Sequence, residues 1–139
     1  MMVVTKSIKI KSQGETDIIN ITRDAQDAVQ KSKVKNGVVT VFVPGATGGL
    51  TTVEYEPGLV SDLKNMFEKI APRKGNYDHN ATWGDGNGFS HVRASLLGPS
   101  LTVPFTGGKL TLGTWQQIIF IDFDNRSRSR ELVLQIIGE

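Results

Sequence analysis

Residues Gly37 to Pro44 read GVVTVFVP, a run that is almost wholly apolar and β-branched. Branching at Cβ restricts a side chain in a helix and suits it to a pleated surface. A segment with no polar face has nothing to turn toward water, so it predicts a buried central strand. A central strand must be paired on both sides, and the rest of the chain supplies candidates. TKSIKIKSQG alternates polar and apolar residues, with Ile8 and Ile10 on one face, and predicts a half-buried strand ending at Gly14. TDIINI (Thr16 to Ile21) reads as a second strand, paired with the first through a turn at Gln13-Gly14. HVRASLLG and SLTVPF read as strands broken at Gly98-Pro99, and TGGKLTLG carries a Gly-Gly hairpin turn. WQQIIFIDFDN is a long strand, and RELVLQIIGE closes the chain with another.

Two segments are helical instead. ITRDAQDAVQKSKVKNG places Ile21, Ala25, Ala28 and Val29 on one face, with acids early, lysines late and Asn36-Gly37 as the stop. PGLVSDLKNMFEKIAP spaces Leu59, Val60, Leu63, Met66, Phe67 and Ile70 at helical intervals between Pro57 and Pro72. The expected fold is α+β: one strand-rich domain over residues 1–139, a largely antiparallel sheet or β-sandwich, with two amphipathic helices on one face.

Length and composition bound the function. At 139 residues and 38% hydrophobic, the chain is long enough for one packed core. It has no cysteine, so disulfides and thiolate zinc sites are excluded and His, Asp and Glu are left as metal ligands. That usage is compatible with a cytoplasmic location. No apolar run approaches the roughly 20 residues of a membrane span, and the N-terminus reads as a strand. Sixteen basic against fourteen acidic residues give a net charge of +2. The densest basic run, Arg126-Ser-Arg128-Ser-Arg130, has no interleaved aromatic residue. It reads as a solvated strand end, not a nucleic-acid platform.

The chemistry concentrates in YDHNATWGDGNGFSH, Tyr77 to His91, which holds both histidines of the chain, His79 and His91. If this loop folds back, its two ends can meet at modest entropic cost. Neutral imidazoles suit a divalent metal, and a carboxylate such as Asp78, Asp85 or Glu54 would complete a small site; an ordinary surface turn is the alternative. Gly84, Gly86 and Gly88 alternate with Asp85 and Asn87. This is neither the dinucleotide fingerprint nor a Walker P-loop, and no helix is expected after it, so no nucleotide cofactor is implied. Nor does any serine or cysteine nucleophile set stand out.

From Tyr77 to Arg130 the elements Y-x-H-N, N-x-x-x-H, S-L-L-G, L-G-T-W-Q and late arginines follow in order. In this the chain resembles the YjbQ-like family, whose members are often labelled secondary thiamine-phosphate synthase. The resemblance implies a compact β-rich α+β fold, a homotrimer, and a polar histidine site able to take a divalent metal such as zinc or magnesium. The activity it implies joins a pyrimidine pyrophosphate to a thiazole phosphate, so the expected partner is a phosphorylated small molecule. His79 and His91 match the family's histidines and are the metal candidates. Glu54, ending T-T-V-E, matches a family glutamate; with Asp85 and Arg93 it makes up the candidate catalytic set. Asn87, Trp115 and Gln116 are the candidate substrate contacts. Many members carry V-P-H-T-T-A-A where this chain has V-P-G-A-T-G-G, so Gly45 stands in place of a third histidine.

Overall fold

A computed structural model describes residues 1–139. The elements are β1 (Met2–Ser12), β2 (Asp17–Asn20), α1 (Thr22–Ser32), β3 (Gly37–Phe42), β4 (Gly48–Val53), α2 (Pro57–Ile70), α3 (Asp78–Trp83), α4 (Gly88–Leu97), β5 (Ser100–Thr106), β6 (Lys109–Leu110), β7 (Gln117–Asp122) and β8 (Arg128–Gly138). They form a five-stranded sheet in the order β1-β8-β3-β5-β6 and a three-stranded sheet in the order β2-β7-β4. Every pairing is antiparallel. No helix is long and apolar enough to cross a membrane.

Strand alternation explains the layers. Inward-facing Val39 and Val41 of β3, Val103 and Phe105 of β5, and Leu132, Leu134 and Ile136 of β8 meet Ile118 and Phe120 of β7 in one core. Helix α1 adds Ala25, Ala28 and Val29 to it. The alternate residues of β7, Ile119 and Ile121, point the other way, where with Phe123 they pack against Phe67 of α2 and Ala94 of α4. The small sheet is therefore sandwiched between the large sheet and two helices. The α+β, antiparallel reading holds, but the helices do not share one face. A strand apolar on both sides must be covered on both sides, and β7 is that strand. GVVTVFVP is central in its sheet, as expected, but its outer face is only partly covered and Phe42 is exposed.

Strands β1 and β2 are not a hairpin: β1 pairs with β8 and β2 with β7. Between them Gly14, Glu15 and Thr16 all take positive φ, at 74°, 56° and 64°. This bend moves the chain from one sheet to the other. A β-branched residue in that region is strained, and Thr16 is held there by a hydrogen bond from Arg93 Nη1 to its Oγ1 at 2.8 Å.

Helix α2 starts as its sequence implies, with Pro57 in the first turn. Its cap is Glu56, whose carboxylate accepts from the N–H groups of Gly58 and Leu59. It satisfies two of the helix's free amides and places negative charge at the positive end of the dipole. Glu56→Ala should cost about 1 kcal/mol and lower the melting temperature by about 3–5 °C. Thermal denaturation followed by circular dichroism checks this, with Glu56→Gln recovering part of the loss.

Candidate functional site

The run that carries both histidines folds into two helices joined by a tight turn. Gly84 and Gly86 take φ values of 71° and 69°, in the left-handed region that glycine enters without a Cβ penalty. They end α3 and redirect the chain into α4. The third glycine serves contact instead: a Cβ on Gly88 would lie 2.5 Å from Tyr77 Cβ and 2.9 Å from Asn80 Oδ1. With hydrogen there, the Gly88 N–H donates to Asn80 Oδ1 at 2.9 Å and the two helix starts pack together. His79 in the first turn of α3 and His91 in the first turns of α4 are thereby stacked, with ring centroids 4.3 Å apart and planes tilted by 39°.

Two expectations are corrected here. The segment HVRASLLG is helical, and the helix begins directly at the last glycine of G-x-G-x-G. The buried residues of α4 are Gly88, Phe89, Ser90, Arg93 and Ala94, a helical spacing. Two of those positions are polar, while Val92 and Leu96 are exposed, so hydrophobicity does not display the period.

Burial pushes the pKa of His91 below the ordinary histidine value and the nearby charge of His79 pushes it further, against Asp124 and Asp85. His91 is therefore neutral at pH 7. His79 Nδ1 is buried with no hydrogen-bond partner. The nearest carboxylate oxygen, Asp85 Oδ1, is 3.7 Å away, too far for a hydrogen bond. The Asn87 amide spans Asp85 and Asp124. One orientation donates to Asp124 Oδ1 at 3.3 Å; the flipped one donates to both Asp85 oxygens at 3.0 and 3.2 Å and is better satisfied.

Behind the histidines lies a buried polar network that the sequence reading missed. Arg130 grips Asp122 with two hydrogen bonds, from Nε and Nη2, both 2.8 Å, and Nη2 also donates to Thr47 Oγ1 at 2.7 Å. Asp124 accepts from Arg128 Nη1 at 2.8 Å and from Thr47 Oγ1 at 3.2 Å. Only Arg126 of the arginine run is left to solvent as expected. The period-two face that buries Leu132, Leu134 and Ile136 extends back to Arg130 and Arg128, so Arg130 is 8% exposed. A cavity of about 240 Å³ opens between α4 and the turn before β4, with His91, Gly45, Ala46, Gly48, Ser95 and Gly98 in its wall.

The other candidates lie elsewhere in the chain. The Arg93 guanidinium is committed to the Ala71 carbonyl, Thr16 Oγ1 and Glu68 at 2.8–2.9 Å, and it stacks over the Phe89 ring. It joins α4 to α2 and to the β1–β2 bend, and all three of its nitrogens are engaged there. Glu54 follows the far end of β4 from Gly48, six residues away and so about 20 Å at strand rise. It is exposed and lines a separate groove with Asn20, Tyr55 and Trp115. Trp115 is 73% exposed. Gln116 folds back on its own loop, accepting from Gly113 N–H and donating to Thr52 Oγ1, both at 3.0 Å. One chain thus brings together His79, His91, Asp85 and Asn87, and does not bring Glu54, Arg93, Trp115 or Gln116 to them.

The family model for the UPF0047 protein YjbQ-like group matches residues 6–139. The chain belongs to the YjbQ-like family. A UPF0047 protein of Methanothermobacter thermautotrophicus is 35% identical over 139 residues, covering all of this chain and 95% of the relative. Two solved structures share this YjbQ-like fold closely. An uncharacterised YjbQ/UPF0047 protein of Clostridium acetobutylicum superposes with a TM-score of 0.87 at 35% identity, covering 95% of this chain and 99% of the other. A hypothetical protein of Aeropyrum pernix K1 gives a TM-score of 0.91 at 29% identity, covering 98% and 99%.

The YjbQ-like resemblance raised a divalent metal, and the donor set can be tested against one. The unpartnered His79 Nδ1 beside His91 suits a cation, but no group of three His, Asp or Glu side chains converges within the chain. The residues therefore fit an open two-imidazole site, in which water or a ligand supplies the remaining donors.

Proposed function

We propose that this YjbQ-like protein is a transferase of the secondary thiamine-phosphate synthase type, acting on a phosphorylated small molecule. The observation that carries this reading is the stacked His79–His91 pair, whose His91 lines a cavity together with Gly45, beside which Arg130 Nη1 lies. In the reaction a thiazole nitrogen attacks the methylene carbon of a pyrimidine pyrophosphate; a C–N bond forms, the C–O bond breaks, and pyrophosphate leaves. The leaving group gains negative charge, so the step gains from preplaced donors and from a proton. The neutral His91 ring, stacked on His79, donates a hydrogen bond from its N–H to the departing oxygen. Asp85, held by the Asn87 amide, places negative charge beside the pair. A divalent ion such as zinc or magnesium, held by the two imidazoles, would supply further charge neutralisation.

The separation of Glu54, Trp115 and Gln116 from the histidines favours a second reading, a phosphate- or metal-binding protein without turnover. Incubating the protein with pyrimidine pyrophosphate and thiazole phosphate, with magnesium, manganese or zinc, decides between them. Release of pyrophosphate together with the coupled product is expected. Binding without release under every metal condition leaves the second reading. We also infer a homotrimer: Phe42, Val3 and Ile137 leave apolar surface on the outer face of the large sheet. Light scattering on the purified protein tests that, and a monomer would refute it.

A further inference from the structure

The Arg130 guanidinium has one edge left over. Nε and Nη2 are taken by Asp122 and Thr47, whereas Nη1 donates to no group of the chain, although the residue is 8% exposed. Nη1 is not sealed from solvent, so that edge is free to donate to a ligand. What lies in front of that edge is Gly45. A Cβ built on Gly45 would meet Arg130 Nη1 at 3.1 Å and no other atom within 4 Å. The absent side chain therefore opens a niche whose floor is Nη1, and Gly45 also lines the cavity that His91 faces. A second observation points the same way. The next two amides, of Ala46 and Thr47, have no acceptor in the chain, although Thr47 is buried.

We infer that the Gly45 niche is an oxyanion subsite, in which Arg130 Nη1 and the Ala46 and Thr47 amides receive a terminal phosphate of the ligand. Asp122 and Asp124 balance the charges of Arg130 and Arg128, so the selectivity comes from N–H donors and not from excess positive charge. Such N–H groups donate to phosphate oxygens, and no carboxylate lines the cavity side. The inference rests on the phosphate-handling reading above for the class of ligand, and adds where that ligand's anionic end sits.

Isothermal titration of the full chain with pyrophosphate, and separately with inorganic phosphate, tests it. Gly45 does not have a positive φ, so alanine is compatible with its backbone and would cap only Nη1. Wild-type protein should bind pyrophosphate, and Gly45→Ala should weaken that binding at least ten-fold with an unchanged melting temperature. Gly113→Ala, in a loop where a Cβ makes only an ordinary contact at 3.6 Å, should bind as wild type. Should Gly45→Ala alter the melting temperature, the Arg130 guanidinium resonances of the wild type, which should shift on adding pyrophosphate, provide the second readout. Equal affinity in Gly45→Ala, or no binding and no Arg130 shift in the wild type, overturns the subsite. Pyrophosphate binding that Gly45→Ala weakens, without any turnover of the two substrates, would sink the transferase and leave the subsite standing.

Discussion

Asp122→Ala should destabilise the protein by about 3–5 kcal/mol, the range for removing one partner of a buried ion pair. Asp122 is fully buried and Arg130 nearly so, and the two are joined by a bidentate contact. Without the carboxylate the guanidinium stays inside a protein core with Thr47 as its remaining strong partner. Asp122 also accepts from Ser12 Oγ at the end of β1 and from the Asp124 N–H at 3.1 Å, so the same change releases three donors. The melting temperature should fall by about 10–20 °C, measured by calorimetry. A fall of under 3 °C would show that the network is solvated. The pH dependence has a definite sign. Burial pushes the Asp122 carboxyl up, but the hydrogen bonds from Arg130, Ser12 and the Asp124 amide more than reverse this, leaving it below the usual carboxylate value. A depressed carboxylate stabilises the fold above its unfolded value of about 3.9 and loses that stabilisation as pH falls through the folded one. Wild-type stability should therefore drop in strong acid more steeply than that of Asp122→Ala.

How much of this was legible from residues alone depends on whether burial and polarity agreed. Helix α2 was readable because Leu63 and Phe67 keep the 3.6-residue period and Pro57 marks the start. Strand β8 was readable because Leu132, Leu134 and Ile136 alternate with exposed neighbours. Helix α4 was not, since its inward face carries Ser90 and Arg93. Ser90 Oγ donates to the Phe123 carbonyl and Arg93 bonds to three separate elements. Arg130 was hidden by the same mismatch: an arginine among serines reads as solvated until a second carboxylate-bearing strand is known to lie opposite. The signal available was D-F-D, Asp122 to Asp124, in an otherwise apolar strand, followed by three arginines at alternate positions. The histidine pair was located correctly as a pair, but Glu54 and Trp115 could be placed only by tracing which end of β4 each lies beside. Motif order along a chain carries no information on that.

His91→Ala should lower the rate of pyrophosphate release by about 10²–10³, the usual contribution of a preplaced hydrogen-bond donor. The loss should appear in kcat more than in KM, because the charge that the donor meets develops only as the leaving group departs. Activity alone would not separate this from a structural effect, so the histidine's own titration is the sharper measurement. Desolvation and the neighbouring His79 both hold the folded His91 below its ordinary value. A histidine with a lowered pKa favours the neutral ring in the fold. Its contribution to stability is therefore present above the unfolded value of about 6.5 and is lost as pH falls toward the folded one, because the unfolded chain takes up the proton first. NMR titration of the imidazole resonances should show His91 titrating below the ordinary value in the wild type. In His79→Ala the like charge is removed and water can enter beside the ring, so both causes weaken and the midpoint should move up. Were His91 to titrate at the ordinary value in both proteins, the two rings would not be coupled. The neutral, desolvated His91 ring, and the leaving-group role built on it, would then fall together.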